Sequence, residues 1–174
     1  SVAVNAATMV INGFGFDTTA ANNSVVLSNG AAGVVTSATN TALTVTFSFS
    51  PAAAGALTAI VTTNGIGSGA AVQVANSRPV VTSSTVSRTA TATTVTINGF
   101  GFDPVANRNL IAFNNGAIGT VTTATKTSLV VTFTIKPKAA GSLTAIVVTN
   151  SIASGSATQV ATVTPVVTSS TTSA

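Results

Sequence analysis

Leu129-Val130-Val131-Thr132-Phe133-Thr134-Ile135 places large apolar side chains at 129, 131, 133 and 135, with Val or Thr between them. Successive side chains of a strand point to opposite faces, so this run reads as a β-strand with one face on a core. Thr and Val suit the other, half-covered face. Leu43-Thr44-Val45-Thr46-Phe47-Ser48-Phe49 writes the same pattern 86 residues earlier. The offset holds outward from there. Ile11-Asn12-Gly13-Phe14-Gly15-Phe16-Asp17 recurs as residues 97–103, and Pro79-Val80-Val81-Thr82-Ser83-Ser84-Thr85 recurs as residues 165–171. Of the 88 pairs this offset aligns, 51 are identical and no gap is needed. A repeat of this length is one small domain rather than one coil of a solenoid.

Further strands read at 93–98, 109–113, 142–149 and 157–163, each bounded by turn residues. The turns fall at Asn115-Gly116 (Asn29-Gly30 in the first copy), at 137–141 and at 151–155. No helical period intervenes. Some seven short strands per repeat predict an all-β chain of antiparallel β-sandwiches.

The residue inventory excludes more than it offers. Thr, Ala, Val, Ser and Asn make up 121 of the 174 residues, and Cys, His, Trp, Tyr and Glu are absent. Without thiol or imidazole there is no disulfide framework and no zinc site of the usual ligands. General acid–base chemistry would rest on Asp17, Asp103 and three lysines, which points away from an enzyme and from any cofactor. The net charge of +4 is small for this length, and the basic residues are scattered from position 78 onward with no stacking aromatics but Phe. A nucleic-acid partner is therefore not expected. No apolar run approaches the ~20 residues of a membrane span.

Thr94-Val95-Thr96-Ile97-Asn98-Gly99-Phe100-Gly101-Phe102 resembles the opening of IPT/TIG domains, an immunoglobulin-like family. The order that follows is also similar to the family's: Asn109–Phe113 into Asn114-Asn115-Gly116, then 127–137, then Leu143–Asn150 with Gly155 beyond. Pro79-Val80-Val81 looks like the family's first strand. The resemblance implies two tandem immunoglobulin-like antiparallel β-sandwich domains. Residues 1–78 would form one that lacks its own first strand, and 79–164 would form the second. Residues 165–174 would be a first strand for a following domain or neighbouring subunit. Arg78 and Pro79 would be the inter-domain linker. The family occurs in surface receptors, transcription factors and bacterial extracellular proteins, often in tandem, which implies an extracellular or cell-surface location here.

That phase gives the chain an expected use. A sandwich short of a strand has an open edge and an open stretch of core. Pro165, Val166, Val167, Thr168, Ser169, Ser170 and Thr171 have the sequence to fill it in another copy. Head-to-tail joining of this kind does not close on itself and propagates a fibre, with copies of the chain as partners. The expectation is a structural repeat unit of an extracellular microbial filament or surface array. The alternative is an adhesin or glycan-binding surface module, displaying the divergent loops at 18–24 and 104–109 to a glycan or cell-surface ligand.

The remaining motifs read as local structure. Asp17 and Asp103 could join nearby Asn residues around calcium, but a lone carboxylate per site suits an Asx turn better. Gly13-Phe14-Gly15 lacks the following helix of a phosphate loop and reads as a bulge or turn. The eight Phe read as core. Lys136 and Lys138 flank Pro137 where the first copy has Ser50 and Ala52, a place for a Lys–Asn isopeptide only in the second copy. Asn22-Asn23-Ser24 is the sole N-glycosylation sequon, with Asn22 as acceptor.

Overall fold

Alternation in the sequence becomes alternation of burial in the strands. In the computed structural model, which describes residues 1–171, Val95, Ile97 and Gly99 point inward while Thr94, Thr96, Asn98 and Phe100 point outward. The first half runs β1 (Val2–Ala3), β2 (Thr8–Asn12), β3 (Asn23–Leu27), β4 (Ala32–Ala38), β5 (Ala42–Phe49), β6 (Gly55–Thr63), β7 (Ile66–Gly67) and β8 (Val72–Arg78). The second runs β9 (Val80–Val81), β10 (Ser87–Thr89), β11 (Thr94–Phe100), β12 (Asn109–Phe113), β13 (Ile118–Ala124), β14 (Ser128–Ile135), β15 (Gly141–Thr149), β16 (Ile152–Ala153) and β17 (Thr158–Thr164). Short 3-10 turns at Ala20–Asn22 and Ala106–Arg108 interrupt each half once. The chain is all-β, and no helix among the described residues is long and apolar enough to cross a membrane.

Each half builds two sheets. One has the order β1-β8-β6-β3, with β7 on β6; its counterpart is β10-β17-β15-β12, with β16 on β15. The facing sheet is β2-β5-β4 in the first half and β13-β14-β11-β9 in the second. Most pairings are antiparallel, but β1 on β8 and β10 on β17 are parallel, which the sequence reading did not foresee. The two hairpins β4–β5 and β13–β14 share a register shift at equivalent places, Val35/Ser37 and Val121/Thr123. Asn29-Gly30 and Asn115-Gly116 all have positive φ, a backbone that Asn and Gly tolerate best.

Leu43, Val45, Leu57 and Ile11 centre one apolar core; Leu129, Val131, Leu143 and Ile97 centre the other. The two cores are not equally complete. Val81, on β9, belongs to the second core, and Phe102, Val160 and Val163 are fully enclosed there. Of their equivalents, Phe16 and Val74 are only half-buried while Ser77, in the place of Val163, is enclosed, and no residue of the first half stands in the place of Val81.

Two expectations need correction. The first strand expected from Pro79-Val80-Val81 is split between the sheets: Val80–Val81 pairs with β11, the chain then crosses, and Ser87–Thr89 pairs with β17 in the other sheet. Nor are all Phe in the core. Phe14, Phe49 and Phe100 are exposed; alternation sends Phe100 outward from β11, and Phe49 is the last residue of β5, paired with Ala32 beyond a register shift. Residues 165–171 form no strand and are exposed, Val167 at 89%; the rest of the proposed 165–174 segment lies outside the described residues.

The contribution of β9 is testable. Val81→Ala removes two buried methyl groups, about 1.6 kcal/mol at ~0.8 kcal/mol per group. Hydrogen exchange should show faster opening of β11 and β14 with β2 and β5 unchanged.

Candidate functional site

The features that stand out are the two ends of each half and the joint where they meet. Strand β8 runs straight into the joint, and Pro79 between β8 and β9 is fully buried. Proline fixes its φ and donates nothing, so the turn from one half to the other has little backbone freedom. Val80 and Val81 then pair with Phe100 and Gly99, and Thr82 N–H donates to Asn98 O at 2.8 Å. Gly99 has no alternative residue: a Cβ there would collide with Val80 O and lie 2.5 Å from the Phe102 ring.

Three further contacts cross between the halves. Ala54 N–H donates to Gly101 O at 3.2 Å. Arg78 Nη1 donates to Ser154 O at 2.7 Å, and a Cβ at neighbouring Gly155 would stand 3.0 Å from that nitrogen. Val4 packs its methyls over Gly101, where φ is +74° and an added Cβ would meet them at 2.7 Å. The loop carrying Ala54 is held from behind. Asn29 Nδ2 donates to Ala53 O (2.8 Å) and to the Ser77 hydroxyl (3.0 Å), and that hydroxyl is 2.8 Å from Ala53 O. Ser77 is wholly enclosed, so this polar group is buried with its partners satisfied.

Shifted by 86 residues, the same positions are bare. Pro79 is enclosed and Pro165 exposed; Ala54 is buried and Ala140 exposed; Ser154 is buried and Ser68 exposed. Phe100 is 45% exposed and Phe14 90%. Each compared pair is the same residue in both halves, which leaves the neighbour as the cause of the difference. At the open end of the first half, Phe14, Phe16, Val61, Asn64, Ile66 and Ser68 line a groove of about 290 Å³. A second hollow of about 220 Å³ adjoins it over Ile11, Gly13 and Val74. Gly13 and Phe14 lie where Gly99 and Phe100 receive β9.

Asp17 and Asp103 sit at the turn beside these ends. Each carboxylate accepts from the backbone N–H two residues on, Thr19 at 2.7 Å and Val105 at 2.8 Å, which is the Asx turn expected. That N–H foremost, then the Asn64 and Asn22 side chains, hold Asp17 down to about 2. Asp103 is likewise lowered, by Val105 N–H first and also by Asn150 and Arg108, against the opposing effect of burial. Arg108 lies 3.5 Å from Asp103; the equivalent residue beside Asp17 is Asn22. Asn23 and its twin Asn109, which the sequence offered only as possible calcium neighbours of the two Asp, are buried and brace that turn from inside. Asn109 Nδ2 donates to Asp103 O and Val105 O, while its Oδ1 accepts from Asp103 N–H and Thr149 Oγ1. Its identity in both copies, inside a loop where neighbours differ, was the available signal.

Asn22 is exposed in its 3-10 turn, with Nδ2 on Asp17 Oδ2 at 3.1 Å. Both Lys136 and Lys138 are exposed; Lys138 lies along Gly116, with its backbone N–H on Asn115 O. Among the described residues no three His, Cys, Asp or Glu cluster to hold a metal.

No family model matches the chain, and no curated protein does. Among solved structures it is similar to an endo-fucoidan hydrolase of glycoside hydrolase family 107, at 14% identity and a TM-score of 0.33. That likeness covers 96% of this chain and 27% of the other. Domains 5–6 of the S-layer protein SbsC match at 20% identity and a TM-score of 0.32, over 92% of this chain and 81% of that one. The chain thus spans about a quarter of the hydrolase, and likenesses this distant say nothing about function.

The carboxylates predict acid behaviour. A carboxyl lowered by folding contributes stability above its unfolded value of about 3.9, lost as pH falls through the folded value. Thermal melts should therefore fall as pH drops from about 4 towards about 2, and Asp17→Asn should flatten part of that fall.

Proposed function

We propose that the protein is a structural repeat unit of an extracellular microbial filament or surface array, built head to tail. Residues 165–171 of one unit complete the first half of the next, on the same polypeptide or on another chain. The role is mechanical rather than catalytic. One observation carries the reading: repeat-equivalent residues are buried at the internal joint and bare at both outer ends. Pro79, Ala54 and Ser154 are covered, while Pro165, Ala140 and Ser68 are not. Segment 165–171 repeats the sequence of 79–85 without change, and Val80–Val81 pair in the second half with Gly99 and Phe100, the equivalents of Gly13 and Phe14 beside the open groove.

The physical case for occupancy is twofold. An open edge at Gly13–Phe14 leaves backbone groups that strand addition would pair. A valine at the place of Val81 would enclose Phe16 and Val74 as Phe102 and Val160 are enclosed, worth about 1.5–3 kcal/mol for that side chain alone. The IPT/TIG resemblance supports the surface location.

Electron microscopy of the native material should show regular filaments or sheets. Denaturing electrophoresis then separates the two modes of joining. A ladder or a band far above 16.8 kDa indicates a long polypeptide, and a single band at that mass indicates strand donation. Chains that stay monomeric in sedimentation with residues 165–174 intact would sink the proposal.

A further inference from the structure

We infer that the joint between consecutive units is ionic, a tail bearing Arg88, Lys136 and Lys138 docking on a head bearing Asp17, whereas the joint inside each unit is not. The partner is a second copy of this chain, so the inference rests on the head-to-tail reading and adds its recognition chemistry.

Side-chain charge is divided unevenly along the chain. Residues 1–77 carry Asp17 alone; residues 79–174 carry Arg88, Arg108, Lys126, Lys136 and Lys138 against Asp103. With Arg78 at the joint, the first part is −1 and the last is +4. Repeat equivalence places these charges. The loop whose Ala54 touches Gly101 at the internal joint corresponds to the loop at 136–141. Lys138 therefore stands at the outer tail end where Ala52 stands at the inner one, and Lys136 where Ser50 stands. Arg88 pairs with Val163 at the end of β17, as Val2 pairs with Ser77 in the first half. Three cations thus gather at the tail, at positions uncharged in the internal joint. Lys136 and Lys138 are both exposed.

The head is complementary. Asp17 is tied to the groove's rim by Asn64, whose Nδ2 donates to Asp17 Oδ2 at 3.1 Å. No cation of its own half offsets it, whereas Asp103 has Arg108 at 3.5 Å. The cation of the internal joint has also moved: Arg78 reaches Ser154 O across that joint, and its equivalent is Thr164. The inner joint therefore uses a guanidinium on a carbonyl and apolar contact, and the outer one opposes a basic tail to an acidic head. Opposite fields at the two ends would steer encounter into the head-to-tail orientation and disfavour tail-to-tail contact.

Sedimentation velocity and light scattering of the full chain test this. Raising NaCl from about 0.02 M to about 0.5 M should weaken association several-fold, since exposed charges are screened. Lys136→Gln with Lys138→Gln should weaken it at low salt by about two- to fivefold per ion pair lost, and Asp17→Asn, which keeps an acceptor for Thr19 N–H, should act alike. The lysine variant combined with Asp17→Asn should lose little more than either alone. Association that ignores salt and all three variants overturns the ionic joint and leaves head-to-tail assembly standing. So does a lysine variant that loses heparin binding but associates as before, since the tail would then face a polyanion. No association by any variant at any salt removes the assembly reading itself.

Discussion

The pairing of Val80–Val81 with Gly99–Phe100 is the constraint on which the rest of the structure depends. A sandwich cannot leave the edge of a sheet and the adjoining strip of core both open without exposing backbone donors and apolar side chains together. In the second half two residues of chain resolve both problems. Val81 covers the core while the backbone on either side completes the ladder. Gly99 is fixed by the same contact, because Val80 O and the Phe102 ring occupy the space a side chain would need. Phe102 can then be fully enclosed and Phe100 half covered. Remove that short strand, as in the first half, and the consequences run in order: Phe16 loosens, Val74 is half exposed, and Phe14 stands out into solvent.

Much of this was legible in the sequence because period and repeat are strong signals. Alternation at 43–49 and at 129–135 gave β5 and β14, while the Asn-Gly turns proved to carry the chain from one sheet to the other, β3 to β4 and β12 to β13, rather than to close hairpins. The offset of 86 showed that one half begins a strand late. The rest was hidden for physical reasons. Residues 79–86 look uniformly strand-like, and nothing in Val-Val-Thr-Ser-Ser-Thr-Val says that the chain leaves one sheet after Val81 and joins the other, in parallel, at Ser87. Composition could not show which Phe lie outside, because strand alternation turns Phe100 outward and only the degree of exposure differs between it and Phe14. The role of Asn109 was hidden because an Asn near an Asp in a turn-rich loop reads as a surface oxygen ligand, and only the backbone geometry of residues 103–105 reveals that it satisfies four partners from inside.

The polar residues retained in the interior follow the same logic. Asn23 and Asn109 brace the turn after Gly-Phe-Gly-Phe, and Ser77 with Asn29 braces the loop that presents Ala54. No buried side-chain polar atom among the described residues lacks a partner. These groups add little net stability over apolar ones, since water would have bonded them in the unfolded chain. Their effect is geometric: they fix loops whose outward backbone faces the next repeat. Ser77 is replaced by Val163 in the second half, at the end where no internal joint is made.

Tandem halves of similar sequence face a specific hazard, since each segment can pair with the wrong neighbour during folding. The differences between the two halves bear on that hazard. Arg78 against Thr164, Ser77 against Val163, Val4 against Ala90 and Ala52 against Lys138 all fall at the joining ends, while the facing core positions 43, 45, 57 and 59 repeat unchanged at 129, 131, 143 and 145. A core tolerates repetition because each half buries its own. Joints do not, if the order of halves matters, because identical joints would let a first half dock wherever a second half should. Unequal joints let the short segment 79–85 and its copy at 165–171 keep one sequence, while the surfaces around them decide which edge each one finds.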